Sequence, residues 1–396
     1  MKSVLIARRF SRFFKSPIFL NSDRFLPPNV QISESLCTSL QWRKNSTFCA
    51  QIPLFSGTHS EVEQRALSKR TLPRANFSSI ASIVESSPTE AVKELYDQII
   101  QSVVVKRTMS PNAWLWSLLE NCKNHDDIKL LFDALENLRR FRQSNLRIPD
   151  NFNDNLCREV TKTCARVGAL DFGKKALWKH NVHGLTPSIG SAHQLLLHAK
   201  EHNDDKLMVE IMKLLKKNDL PLQPGTADIV FSICYNTDNW SLMTKYSKKF
   251  VKAGVKLRQT SFDVLMEFAS KIGDVESLWI IEKLRSESMK QHTLSTGFSW
   301  AKGLLLERKP EAAATIIQVL NQDLSEAKKS SIMVELQKLV SEWPVEVIKR
   351  QREENKKELA KSLQTDIPAM FNVLVNMGLK ASVNMEDLTG KGGIPS

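Results

Sequence analysis

Apolar residues recur three and four positions apart through the middle of the chain, in runs cut at regular intervals. One run is Leu156, Val160, Cys164 and Val167. Others are Leu207, Ile211, Leu214 and Leu215, then Phe262, Leu265, Met266 and Ala269, then Leu278, Ile281 and Leu284. This spacing places each set on one face of an α-helix. Between the runs lie Gly168-Ala169-Leu170-Asp171, Asn203-Asp204-Asp205-Lys206, Asp238-Asn239-Trp240-Ser241 and Gly273-Asp274-Val275-Glu276. These stretches begin at 168, 203, 238 and 273, a constant step of 35. Gly, Asn and Asp tolerate the left-handed backbone that ends one helix and starts the next. A polar or proline-bearing connector closes each unit, at 184–188, 220–225 and 254–258. A helix pair of this size cannot bury its apolar face alone, so the pattern predicts an all-α architecture of stacked helix-turn-helix units.

Weaker units extend the series on both sides. Pro111 to Asp150 makes a pair around His125-Asp126-Asp127 with a longer connector, and Ser295 to Gln322 makes another that turns near Lys309-Pro310. About six units, four of them clear, span 111–325. Ser87-Pro88-Thr89-Glu90 reads as a helix start, with Ser87 as cap and Glu90 reaching back, for a helix that ends at Ile99 or Ile100. Beyond the units, helices are expected from Ser325 to Ser341, from Val345 to Leu363 and from Asp366 to Met377, with a break at Trp343-Pro344. The chain then divides into a presequence and disordered segment (1–60), a linker and N-terminal capping helix (61–110), the repeats (111–325), C-terminal helices (326–384) and a mobile tail (385–396). At helical spacing, most of Trp114, Trp116, Trp178, Trp240, Trp279 and Trp300 belong in the core.

Two adjoining helices, a Gly-Asp-like turn and a closing Gly-x-x-Pro connector resemble the pentatricopeptide repeat (PPR). Gly168 to Ser188 is the closest match and Gln259 to Leu284 the next. The chain looks like a degenerate, plant-like mitochondrial member of that family, over a little more than half its length. The usual Trp, Gly, Tyr, Ala and Pro positions of the related tetratricopeptide repeat are not met. The resemblance implies a right-handed solenoid of about six helix-turn-helix repeats with a 35-residue period and helical caps at both ends. It also implies RNA as a partner, with one base per repeat read by a residue near the start of the first helix and by the last residue of the unit. Aligned on the family, the helix positions are Arg158, His193, Val230, Asp263 and Ser299, and the terminal positions are Ser188, Gly225 and Arg258. The family's usual readers are Asn, Thr or Ser in the helix, with Asp, Asn or Ser at the end. Arg158, His193 and Val230 depart from that set, and Val230 has no group to hydrogen-bond a base.

Charge is unevenly distributed along the chain. The net charge is +13, but residues 1–60 hold eight Lys/Arg and only Asp23 and Glu34, which is +6 and leaves 13 − 6 = +7 for the rest. The first 25 residues alternate Arg8, Arg9, Arg12 and Lys15 with Leu5, Ile6, Phe10, Phe13 and Phe14, the cationic amphipathic pattern of a mitochondrial presequence. Within the repeats, Lys213 and Lys248 are 35 apart, as are Lys217 and Lys252. They fall on second helices, which in the PPR family form the outer face. Charge repeated at this spacing either follows a phosphate backbone or marks a solvated lysine face.

Little in the sequence points to catalysis. There is no phosphate loop, no GxSxG and no HExxH. His198 and His202 share a helical face without a third ligand, His180 and His183 are weaker still, and Cys157 and Cys164 sit seven apart as core residues. Six dispersed cysteines predict reduced, buried thiols. No window approaches the roughly 18 apolar residues of a membrane span. The expectation is a non-enzymatic protein of the mitochondrial matrix, or less favourably of plastids, without metal, cofactor or small-molecule substrate. Its partner would be a mitochondrial transcript, ribosomal RNA or the subunits of a mitochondrial ribonucleoprotein such as the mitoribosome, in organellar RNA metabolism or translation. The alternatives are a sequence-specific transcript-binding PPR factor and a tetratricopeptide-like protein scaffold.

Overall fold

The structure is a computed structural model that describes residues 87–379 apart from 146, 324 and 325. The expected presequence (1–60), the linker up to residue 86 and the tail (385–396) lie outside the described residues. Among the described residues the protein is all-α, a helical repeat-like architecture of sixteen α-helices with no strand. It opens with α1 (Glu90–Ile100), which runs on into a π-helical stretch, Gln101–Val105, that the pattern did not predict. The helix pairs are α2 (Asn112–Asn121) with α3 (His125–Gln143), α4 (Asp154–Val167) with α5 (Leu170–Ala176), and α6 (Ile189–Glu201) with α7 (Asp205–Lys217). They continue with α8 (Pro224–Asn236) and α9 (Trp240–Lys252), α10 (Gln259–Ile272) and α11 (Val275–Ser288), and α12 (Leu294–Leu306) and α13 (Pro310–Asp323). The described residues close on α14 (Glu326–Ser341), α15 (Trp343–Arg350) and α16 (Glu353–Asn376).

The period is kept at both helix starts. First helices begin at 154, 189, 224, 259 and 294, second helices at 170, 205, 240, 275 and 310, every step being 35. The earlier pair starts 154 − 112 = 42 and 170 − 125 = 45 residues before its successor, so it stands outside the register. The turn between the helices of each pair shows why the step is constant. Residues 168, 203, 238, 273 and 308 all have positive φ, from +50° to +82°. Asn203, Asp238 and Arg308 hold this left-handed backbone without being glycine, at about 1–2 kcal/mol each. The next residue caps the second helix: Asp204, Asn239 and Asp274 accept from the backbone N–H of Leu207, Leu242 and Ser277 at 2.9, 3.1 and 3.0 Å. Each cap contributes roughly 1 kcal/mol. In the earlier unit that position is Ala169, which cannot cap, and α5 is only seven residues long.

Each first helix packs on the next, α4 on α6, α6 on α8, α8 on α10 and α10 on α12, while each also contacts its own second helix. The fully buried Phe231, Phe250, Phe268 and Phe298 fill these contacts, each aromatic ring stabilising the fold by about 1.5–3 kcal/mol relative to exposure. Not all tryptophans follow the core expectation. Trp343 is buried and Trp114, Trp240, Trp279 and Trp300 are half-buried, but Trp116 and Trp178 are 36% and 51% exposed.

Three boundaries differ from the sequence pattern. The cap of α1 is Thr89, not Ser87, because the Thr89 N–H and hydroxyl both donate to Asp127, at 2.7 and 2.8 Å. Burial pushes the Asp127 carboxyl up, but hydrogen bonds from Lys123, Thr89 and Asn124 outweigh it and hold the group below its ordinary range. Pro344 does not only separate helices; it opens α15 in the first turn, where its missing N–H costs nothing. Finally, the two helices expected within 345–377 are divided elsewhere. The chain breaks at Gln351-Arg352, and α16 then runs unbroken through Pro368. Leu363, Ile367, Met370 and Leu374 form one continuous buried face, and α16 packs on α13 and α12. That burial on both sides offsets the roughly 3 kcal/mol that an interior proline costs.

Candidate functional site

Counted from the helix starts, the helix position at Arg158 recurs at His193, Asp228, Asp263 and Phe298. The terminal position at Ser188 recurs at Gln223, Arg258 and Thr293. Gly225, Val230 and Ser299 are therefore out of register, and this corrects the sequence alignment. Val230 and Ser299 are 0% and 1% exposed, side chains of the core rather than of any surface, and Gly225 lies in the first turn of α8. For Gly225 and Val230 the reason for the error is local. Two prolines and a glycine at 221–225 blur the boundary, and only the fold shows that Pro224 is already helical.

The in-register side chains are engaged inside the protein, mostly at the start of the following first helix. His193 Nε2 lies 2.8 Å from Thr226 Oγ1, and burial holds its imidazole below the ordinary value. Asp228 accepts from the hydroxyls of Thr260 at 2.9 Å and Ser261 at 2.5 Å, and pairs with Arg258 at 3.3 Å. Asp263 accepts from the Thr293 hydroxyl at 2.5 Å; its carboxyl is raised by burial, which outweighs that bond. Ser188 accepts from the Ser191 N–H at 3.2 Å as the cap of α6. Arg158 donates to Asn155 at 2.6 Å on its own helix. Asp228 and Asp263 thus place carboxylates at helix N-termini, where the macrodipole favours them. Of the expected readers, Arg158, Ser188 and His193 come together, with Gln223, around one open cleft of about 550 Å³. Asp263 and Arg258 do not line it.

Farther along, the chain's own helices cover this face. α15 packs on α10 and α14 on α12. The Trp343 indole donates to the Ser270 carbonyl at 2.9 Å and Gln351 to the Ile272 carbonyl at 2.9 Å. Glu267 and Lys271 of α10 and Lys302 of α12 face Glu335 of α14, Glu342 between α14 and α15, and Glu346 of α15 across a cleft of about 510 Å³. Lys271 pairs with Glu346 at 3.0 Å. Burial holds the Lys302 ammonium below its ordinary value against the pull of the surrounding glutamates.

The second helices carry a different surface. Lys213, Lys217, Lys248 and Lys252 are all exposed, and none makes an ion pair among the described residues. Lys216 and Lys245 join them, and Lys283 continues the 35-residue step from Lys248. α9 contains Lys245, Lys248, Lys249 and Lys252 and no Asp or Glu. The Lys249 ammonium is held below its ordinary value first by burial, then by the like charges of Lys216 and Lys245. Like charges thus crowd Lys249 on α9. The sequence pattern missed Lys216, Lys245 and Lys283, although Lys283 is the next 35-residue step after Lys248.

The other residues considered for chemistry have structural surroundings. The His198 and His202 rings stack with centroids 4.1 Å apart. No group of three metal-ligating side chains occurs among the described residues. His183 Nδ1 lies 3.1 Å from the Phe132 carbonyl, and His180 is exposed. Cys122, Cys157, Cys164 and Cys234 are free and buried. Burial pushes the Cys122 and Cys234 thiols up to about 12 and Cys157 up to about 11, far from the thiolate that nucleophilic chemistry requires. No described helix is long and apolar enough to cross a membrane. No protein-family model matches the chain, and no curated protein matches it.

Proposed function

We propose that this protein is a PPR-like, RNA-associated adaptor that grips RNA by its phosphates through the second helices. In this reading the pairs from α2 to α13 form a right-handed solenoid of six repeats, capped by α1 and by α14–α16. The observation that carries it is the row of exposed lysines at repeat spacing, Lys213 with Lys248 and Lys217 with Lys252, that no carboxylate neutralises among the described residues. Phosphates spaced along a strand supply the missing counter-charge, and release of their condensed ions drives binding without regard to sequence. The helix positions support the same choice from the other side. Their hydrogen-bonding groups are spent on the protein itself, and α14 and α15 cover part of that face. A sequence-specific transcript reader is accordingly disfavoured.

With the basic amphipathic N-terminus, the place of action is the mitochondrial matrix, on ribosomal RNA or a ribonucleoprotein of organellar translation, and the role is binding rather than catalysis. The test is to purify the tagged protein from mitochondria with and without RNase. Recovery with ribosomal subunits, lost on RNase treatment, is the expected outcome. One enriched transcript would replace it with the sequence-specific reading. A protein partner set indifferent to RNase, with no crosslinked RNA, would replace it with the scaffold reading. A reporter carrying residues 1–60 that stays in the cytosol would overturn the assigned compartment.

A further inference from the structure

The lysine row has a different first member. Counting back by 35 from Lys283, Lys248 and Lys213 arrives at Trp178, and counting back from Lys252 and Lys217 arrives at Val182. Both are exposed, at 51% and 58%. An indole left half in water forfeits burial, so its surroundings decide whether it is a loose loop residue or a presented one.

The surroundings hold it firmly. Trp178 follows α5 in a segment pinned from two sides by buried asparagines. The Asn218 amide, at the end of α7, donates to the Leu177 carbonyl and accepts from the Lys179 N–H at 3.1 Å. The Asn181 amide donates to the carbonyls of Trp178 at 2.7 Å and Leu185 at 2.6 Å, and accepts from the Leu185 N–H at 2.9 Å. Arg139 donates to the Asn181 carbonyl at 2.6 Å. The backbone on both sides of Trp178 is thus fixed while the ring projects. The Lys217 ammonium lies 5.2 Å from the ring centroid, and the exposed Lys179 and His180 follow directly in the chain. A pre-fixed, half-exposed aromatic ring with the Lys217 ammonium over it, in repeat register with a row of lysines, fits a base joined to a phosphate chain.

We infer that Trp178 is a stacking platform for one unpaired base of an RNA whose phosphates lie along Lys213, Lys217, Lys248 and Lys252. The inference rests on the RNA-adaptor reading and adds to it a requirement for a single-stranded or bulged nucleotide at the α5 end of the row. Every base has a π-face, so the contact selects unpaired over paired nucleotides, not one base over another.

The full chain, with Trp178→Ala, Trp178→Phe and a Lys213→Ala, Lys217→Ala, Lys248→Ala, Lys252→Ala variant, is titrated with a short oligoadenylate, the same strand with one abasic site, and a blunt RNA duplex. Trp178→Ala is expected to bind the oligoadenylate about tenfold more weakly with an unchanged salt dependence. Duplex binding stays as it was, and Trp178→Phe retains most of the affinity. The lysine variant loses both ligands. Equal affinity of Trp178→Ala and wild type for oligoadenylate would overturn the stacking site, and the adaptor reading would survive through the lysine variant. A folded Trp178→Phe protein that binds as weakly as Trp178→Ala would also overturn it, since a phenyl face still stacks. Lysine-independent binding, or none by wild type, would overturn both.

Discussion

The carboxylate of Asp228 on α8 accepts a hydrogen bond from the hydroxyl of Ser261 on α10, at 2.5 Å across 33 residues of chain. Ser261 is 1% exposed, so its hydroxyl has no water to turn to if the acceptor is removed. The same carboxylate takes the Thr260 hydroxyl at 2.9 Å and the Arg258 guanidinium at 3.3 Å. Asp228 therefore fastens two neighbouring units at the position where a base reader of the PPR family would stand.

Replacing Asp228 with Ala is expected to cost about 2 kcal/mol of stability, because a buried donor is left unsatisfied and a carboxylate leaves a helix N-terminus. Urea unfolding measures it. RNA affinity should hold or rise slightly with one negative charge removed. A variant of unchanged stability that binds a different RNA sequence would restore base reading to this position.

The lysine row predicts a particular salt dependence. Single-strand binding loses roughly 0.7 of log–log salt slope for each phosphate contact removed, so replacing Lys213, Lys217, Lys248 and Lys252 by Ala should flatten the slope by about 3. Among the described residues these lysines make no ion pair, and only Lys217 contacts a ring, that of Trp178, so the melting temperature should move little. An unaltered slope would mean that these side chains contact no phosphate.

Gly168 and Gly273 occupy the same turn register with nearly equal φ, +82° and +81°, and their surroundings separate them. An added Cβ at Gly168 meets nothing within 4 Å, whereas at Gly273 it collides with the Gln351 amide and meets Val347 at 3.0 Å. Gly168→Ala should cost about 1 kcal/mol, the backbone contribution alone. Gly273→Ala should cost about 3 kcal/mol, as overpacking displaces Gln351 from the Ile272 carbonyl and loosens α15 from α10. Hydrogen exchange in 343–350 should accelerate for the second variant only.

His292 links stability to acid. Its imidazole is lowered to about 3, first by burial and then by the Arg285 charge, and it lies 3.4 Å from Glu282 in a nearly sealed cluster with Arg285. The unfolded chain takes up this proton near the ordinary value of 6.5, while the folded one resists until about 3. Between those values the unfolded state binds more protons, so stability falls as pH drops from 6.5 toward 3. Melting temperatures recorded across that interval should decline less steeply for His292→Gln than for wild type. Identical slopes would place the acid sensitivity elsewhere.

The helix pairs and their 35-residue period were legible from the sequence because the signals are local. Apolar spacing writes out a helix face, and turn residues such as Gly168, Asn203, Asp238 and Gly273 declare where a left-handed residue must stand. The cap residues Asp204, Asn239 and Asp274 act within three positions of themselves. Which residues share a register emerged from the fold alone, since Pro224 reads equally well as connector or helix, and the misplacement of Val230 and Gly225 followed from that ambiguity. The fold also decided that the Asp228 and Asp263 carboxylates are occupied, that α15 lies on α10, and that Trp178 projects into solvent from a pinned segment. Each of these depends on hydrogen bonds or packing between residues tens of positions apart, and the order of residues along the chain carries no local trace of such partners.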